Sequence, residues 1–349
     1  MTLSAYEQRE WDRLQQRKAA SLDKQARKIL PQSARERLAA LGQKARNAPG
    51  ADKVVAAYGG AARGLGKAVS GTASRTVSKK RVVEQYRRAG HDTAGLGGIR
   101  ELDLEVVDEV ARHNAVRYGH ALSAAATGLG SAAAVTGGEV LAGAGTIAGA
   151  GAGAAPGIGT VAGAMAADTA MMLALATRVV ASTALYYGYD PNDPEEEVFV
   201  MSVIALGMST STSAKAAAYA ELSQLTQLLV RNAPWAKLNE KVLTRIAQRF
   251  AAKFAQQLPK KKLGQFVPVA GMAVGAGLSY LLIDRVAVSA RDAYRERFLI
   301  EKSDGDLAGA PVPDHGARAP EPDDDGIHLI TMLREEDVLP PDPEHGTRV

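Results

Sequence analysis

Cysteine is absent from this 349-residue chain, which removes disulfides, thiolate nucleophiles and Cys-ligated zinc together and fits a reducing compartment. Aromatic residues are scarce, at 5%. Single-strand nucleic-acid binders interleave basic residues with stacking aromatics, so that class is not expected, and no helix-turn-helix, zinc-finger or RNP signature points to nucleic acid either. The opening stretch MTLSAYEQREWDRLQQRKAA is charged and lacks the apolar core of a signal peptide, so the expected N-terminus is cytoplasmic. No GxSxG nucleophile elbow occurs. Gly64-Leu65-Gly66-Lys67-Ala68 departs from a phosphate loop at Ala61 and Ala68, where Gly and Ser/Thr are needed. Two GxGxxA matches, at 143–148 and 157–162, lack the preceding strand that a dinucleotide site requires. No cofactor is expected.

What the chain has in abundance is small apolar residues. From about 121 to 167 it is dominated by Gly and Ala, with GlyxxxGly spacings through Gly145, Gly149, Gly153 and Gly157 and again at Gly159 and Gly163. The spacing returns downstream at Gly271 and Gly275. Such stripes let two helix backbones approach closely, and each Gly costs a soluble helix about 1 kcal/mol relative to Ala, so tight packing or a lipid-like setting must compensate. Pro156 and its flanking glycines divide the run into two helices, about 121–150 and 160–187, forming a hairpin over 121–187. A second Gly-rich helix is expected over 263–299; its charge-free part, 263–283, is long enough to cross a bilayer.

The remaining pattern is helical. Leu104, Val107 and Val110 sit at core spacing, Ser78 is an N-cap in waiting, and Pro194 with Glu195, Glu196 and Glu197 suits a helix first turn. One helix is expected from 198 to about 229, with the hydroxyls of Ser209–Ser213 bonded back to its own carbonyls. The fold class is therefore all-α: basic amphipathic helices over 1–50, a helical core over 51–300, and a disordered acidic tail over 301–349.

Charge is uneven along this plan. Residues 1–118 hold 23 Lys/Arg against 13 Asp/Glu, and residues 300–349 hold 4 against 13. Lys79, Lys80, Arg81, Arg87 and Arg88, with Lys260, Lys261 and Lys262, are candidate contacts for anionic lipid headgroups. An apolar patch at 327–333, followed by Glu335, Glu336 and Asp337, interrupts the acidic tail and has the look of a docking element; its acidic flank suits the basic residues of 79–88.

Lone charges inside apolar helices need partners, because an unpaired buried ion costs several kcal/mol. Asp168, Arg178, Glu197 and Lys215 form the candidate buried network or ligand site; a hydrolase would have to work there. Glu109, His113 and His120 share a helical face, yet they lack a fourth ligand and match no zinc signature, so no metal is expected.

Several of these stretches carry a family likeness. GADKVVAAYGGAARGLGKAVS, KKRVVEQYRRAGHD, ALYYGYDPNDPEEEVF and KKLGQFVPVAGMAVGAGLSYLLIDRVAVSARDAYRERFL resemble the bacterial EcsC protein family over roughly 6–299. The resemblance implies a family named after a protein associated with an ABC transport system and without a defined molecular activity, and so no catalytic residue to carry over. The expectation is a non-enzymatic protein peripheral to the inner face of the cell membrane, touching anionic lipid or an apolar ligand, with membrane transport components as further partners. The alternatives are the hydrolase and a soluble helical scaffold.

Overall fold

The computed structural model describes residues 3–23, 78–112, 158–209, 211–231, 235–262, 271–309 and 326–340, with backbone alone at 158–168, 236, 258–262, 271–280 and 308–309. All regular structure among the described residues is helical. In chain order the helices are α1 (Ala5–Asp23), α2 (Lys79–Arg88), α3 (104–112), α4 (Ile158–Tyr186), α5 (Pro194–Met208), α6 (Thr212–Val230), α7 (Glu240–Lys262), α8 (Gly271–Lys302) and α9 (Leu329–Glu335).

Helix α5 is the centre. It is apolar all round, and every residue from Val198 to Met208 is buried, the pattern of a core helix rather than an amphipathic one. Its start meets the late part of α8, where Tyr294 and Arg297 reach Glu196, and its end meets the middle of α8 at Val286. The two helices are therefore antiparallel. At Gly207 a β-carbon would stand 2.7 Å from the Val286 Cα, so the absence of a side chain sets the closeness of that crossing. Helix α4 ends beside the late part of α8, where Tyr187 packs on Tyr294 and Phe298 at ring separations of 6.4 and 6.5 Å. Helix α1 lies against the same part of α8 in the opposite sense, and its partners descend along α8 from Lys302 (Glu7) to Arg295 (Glu10) to Asp292 (Arg17).

Local signals explain most boundaries. Ser78 caps α2 by accepting from the Arg81 amide, and Pro194 opens α5 with three carboxylates in its first turn. Ser4 and Glu7 form a reciprocal capping box on α1. The single helix expected from 198 to 229 is two. Ser209 bonds back to the Ala205 carbonyl at the end of α5, but Ser211 takes extended backbone and caps α6 through the Ala214 amide, so the serines break the helix they were expected to continue.

The tail also differs from its composition. Residues 326–340 fold as α9 and its flanks, with Ile327, Leu329, Ile330, Met332, Leu333, Val338 and Leu339 buried against α5, α6 and α7. Apolar burial outweighs the acidic composition there, and the partners of its carboxylates are Arg245 and Arg249 of α7 instead of the 79–88 helix. Residues 310–325 and 341–349 lie outside the described residues.

Candidate functional site

The densest polar construction among the described residues gathers where α4 turns into α5, at Tyr186-Tyr187-Gly188-Tyr189-Asp190. Gly188 follows the helix end at φ +85°, and a β-carbon there would meet Arg100 Cγ at 2.9 Å and the Leu96 carbonyl at 3.0 Å. Glycine thus supplies both the left-handed turn and the room for the 96–101 segment to close over it. Around this turn the Tyr86 hydroxyl donates to the Tyr186 carbonyl at 2.6 Å, and Lys79 pairs with Asp190. Burial raises Asp190, but hydrogen bonds from Lys79 and Asn192 outweigh it and hold the carboxyl below its ordinary range.

Two arginines on opposite sides of α8, Arg295 toward α1 and α3 and Arg297 toward α5, complete the site. Arg295 Nε donates to Asp108 at 2.7 Å and to the Tyr187 hydroxyl at 3.1 Å, while Tyr187 and Tyr6 donate to the two Asp108 oxygens at 2.7 and 2.9 Å. Arg297 donates to Glu196 at 2.6 Å and to Glu301 at 2.9 Å, and its guanidinium lies over Tyr189 at 4.0 Å and Phe199 at 4.9 Å. Tyr294 donates to the second Glu196 oxygen at 2.6 Å and Tyr189 to Glu301 at 3.1 Å. Beside them Glu7, fully buried, accepts from Lys302 at 2.7 Å and from the Leu104 amide at 3.1 Å, so one carboxylate also serves the first turn of α3.

The electrostatics follow from burial. Tyr187, Tyr189 and Tyr294 are raised by desolvation and then by the carboxylates they donate to, and Tyr6 is pushed up to about 12 for the same reasons. Burial pushes Glu196 up while Arg297 and Tyr294 pull it back. Burial alone would lower Arg297, but Glu196 and its tyrosine neighbours more than reverse that. A general acid or base works best with a pKa near the operating pH, and these tyrosines are driven away from it. The arrangement is chemically a lock: donors and acceptors are matched in place.

The expected site residues are distributed differently. Asp168 lies in the backbone-only part of α4; Arg178 and Glu197 are half-buried on α4 and α5. Lys215 is half-buried in the first turn of α6, lowered by burial and by the like charge of Arg285. The buried acid of α5 is Glu196, one residue before the expected Glu197. Of the basic candidates, Lys79 pairs with Asp190, Arg87 and Arg88 pair with Glu84, and Lys80 and Arg81 are exposed. Lys260, Lys261 and Lys262 end α7, with side chains outside the described residues. Gly145, Gly149 and Gly153 lie outside the described residues; Gly159 and Gly163 are in α4, Gly271 and Gly275 in α8, with their surroundings likewise outside. Glu109 is exposed, His113 and His120 lie outside, and no cluster of metal-ligating type occurs among the described residues.

Sequence reading missed Asp108, Glu7, Glu10, Arg295 and Arg297. A signal existed: Glu7, Glu10, Leu14, Lys18 and Leu22, all buried, mark one helical stripe, and Asp108 lies one turn after Leu104. Charges on an apolar stripe in several helices at once are candidates for pairing with one another.

The fold, the turn and its partners define an all-helical bundle locked by buried ion pairs. The chain belongs to the EcsC protein family, whose model matches residues 5–299. It is 28% identical over 140 residues to the uncharacterized protein YdbA of Bacillus subtilis (strain 168), a match covering 40% of this chain and 48% of that protein. The chain thus spans about half the length of the curated relative it matches. No solved structure matches it.

Proposed function

We propose that this EcsC-family protein attaches peripherally to anionic membrane at the inner face of the cell membrane and acts without catalysis, through the cationic face of α7 and the apolar ends of α4 and α8. The observation that supports this most is a stripe on α7. Lys241, Arg245, Arg249 and Lys253 recur every fourth residue, all are exposed, and the helix ends in Lys260-Lys261-Lys262. The face turned away from them, with Ile246, Ala247, Phe250, Ala251, Phe254 and Ala255, is buried. Interfacial helices use that division, Lys/Arg on the polar side and an apolar face opposite, and each basic residue near an anionic surface contributes about 1 kcal/mol.

The apolar helices supply the second element. Met171, Leu281 and Val288, the exposed large apolar side chains among the described residues, belong to α4 and α8. Because Gly207 near the end of α5 faces Val286, the α8 backbone from 271 runs on for about 22 Å past that crossing, at about 1.5 Å per residue. The triple lysine is nine residues from Gly271, within about 30 Å of fully extended chain. Thr169–Tyr186 in α4 is long and apolar enough to cross a membrane, but it is 67% buried, as a core helix is.

Vesicle co-sedimentation tests the reading. Binding to vesicles containing phosphatidylglycerol should fall steeply between low and high salt, and Lys260→Gln/Lys261→Gln/Lys262→Gln should weaken it by about tenfold or more. Equal binding to neutral phosphatidylcholine vesicles, or no binding to either, would sink it.

A further inference from the structure

Four exposed cations line α7, and the chain's own C-terminal segment answers two of them. Glu336 pairs with Arg245 at 2.6 Å and with Arg249 at 3.1 Å, and Glu335 pairs with Arg249 at 2.9 Å. Lys241 and Lys253, before and after them on the stripe, make no ion pair among the described residues. The acidic pair is held in place by what precedes it. Helix α9 buries Leu329, Ile330, Met332 and Leu333, and the Glu221 carboxylate of α6 accepts from the Leu329 amide at 3.3 Å and faces His328 Nδ1 at 3.4 Å. The docked segment is thus an apolar anchor with two carboxylates delivered to the middle of a cationic face.

We propose that residues 326–340 are a built-in counter-ligand: they occupy the central half of the α7 cationic stripe and hold down the protein's attraction for anionic membrane. The inference rests on the membrane reading of α7 and adds its regulation. Charge and position carry it. The stripe of four cations keeps two unanswered, so attachment is reduced, not abolished. Anchor and acid are separable, because the apolar residues hold the helix while the Arg249–Glu335 pair, 45% and 57% exposed, adds little to stability, and Gln in place of the 8% exposed Glu336 keeps that side chain's shape. Removing the carboxylates therefore unmasks the arginines without unseating α9. The segment also lies beyond residue 299, where the family match ends, so this control belongs to a part of the chain outside the matched core.

The test uses the full chain and two variants, Glu335→Gln and Glu335→Gln/Glu336→Gln, each checked by circular dichroism and melting. The single variant guards against misfolding, since the Glu335 side chain is 57% exposed and that of Glu336 only 8%. Two released cations have a ceiling of roughly 30-fold in affinity for an anionic surface, and arginines already half in water should give about tenfold for the double variant and about threefold for the single one. The readouts are co-sedimentation with phosphatidylglycerol vesicles at low salt and the salt needed to elute from heparin, a soluble polyanion. Tighter vesicle binding together with later elution supports the proposal. Unchanged elution from heparin in both variants overturns it, because the arginines would then not have been masked. Later elution with no vesicle binding in any form supports the masking and sinks the membrane reading instead.

Discussion

Replacing Gly207 by alanine gives the sharpest test of how this bundle is packed. A β-carbon at that position would stand 2.7 Å from Val286 Cα, 2.8 Å from its Cγ2 and 3.1 Å from its nitrogen. Two of those atoms are α8 backbone, so no side-chain rotation relieves the clash and α5 and α8 must separate locally. Overpacking a core costs about 1–3 kcal/mol, and a backbone contact belongs at the upper end. Against it stands the gain of about 1 kcal/mol for removing Gly from a helix interior. The net expectation is a loss of about 2 kcal/mol, which in a chain of this length lowers the melting temperature by about 3 °C. Thermal unfolding followed by far-ultraviolet circular dichroism measures it. Gly97→Ala is the control, because a β-carbon there meets only Arg100 Nη2, at 3.9 Å, and should change stability by less than about 0.5 kcal/mol. A Gly207→Ala protein that melts at or above the parent, or a control that falls as far, would refute the reasoning.

Other residues give separate tests. Tyr187→Phe keeps the ring stack and removes a donor to Asp108 and an acceptor for Arg295, and urea unfolding should show a loss of about 1–2 kcal/mol. Asp108→Asn leaves Arg295 with Glu10 at 3.4 Å as its remaining carboxylate and should cost about 3–5 kcal/mol in the same assay. Because Glu196 and Arg297 are each buried and bonded to the other, Glu196→Leu/Arg297→Met should be less destabilising than the sum of its single variants; strict additivity in the double-mutant cycle would mean that the pair is not coupled. Lys215→Met should raise the melting temperature at neutral pH. Lys215 is lowered in the folded state, so its charge opposes folding below the folded pKa, and the gain should fade as pH rises toward the ordinary lysine value of 10.5, where the parent lysine loses its proton in both states.

How much of this was legible in the sequence depends on what each signal measures. Periodicity placed Leu104, Val107 and Val110 in the core, and cap chemistry placed Ser78 and Pro194, because those preferences act within one turn of helix. The break at Ser209–Ser211 was readable in principle: the same hydroxyls that bond back to a helix also cap one, and only packing chooses between them. The pairing of Asp108 with Arg295 or of Glu196 with Arg297 spans 187 and 101 residues, so no local signal reports it. The GlyxxxGly positions have their surroundings outside the described residues, so glycine spacing is neither supported nor opposed there. The close approach that the described residues document is at Gly207, a single glycine in a helix with no GlyxxxGly repeat, because what matters is the facing backbone and a spacing rule sees only one of the two helices. Disorder expected over the whole of 301–349 does not hold at 326–340, where the apolar patch read as a docking element is docked on the protein itself: composition averages over fifty residues, whereas a seven-residue helix needs only a few apolar side chains and a groove to receive them.

The division of charge within the bundle explains why attention falls on its surface. Along the last turns of α8, Arg295, Arg297 and Lys302 are answered by acids from α1, α3 and α5, and Lys18 of α1 by Glu296 at 2.7 Å, so the positive charge of the interior is consumed in holding the helices in register. A charge so enclosed cannot change partners without exposing another, and each broken buried pair costs about 3–5 kcal/mol, more than a weak ligand returns. The stripe on α7 is under no such constraint. Its arginines are half in water and the exposed Arg249–Glu335 pair contributes at most about 1 kcal/mol, so an anionic surface offering several headgroups together can exchange for it. Screening separates the two populations experimentally: salt near 0.5 M should leave the buried network and the melting temperature nearly unchanged while it abolishes vesicle binding through α7. Loss of folding stability and of binding in parallel over the same salt range would mean that one set of charges serves both, and the separation argued from burial would fail.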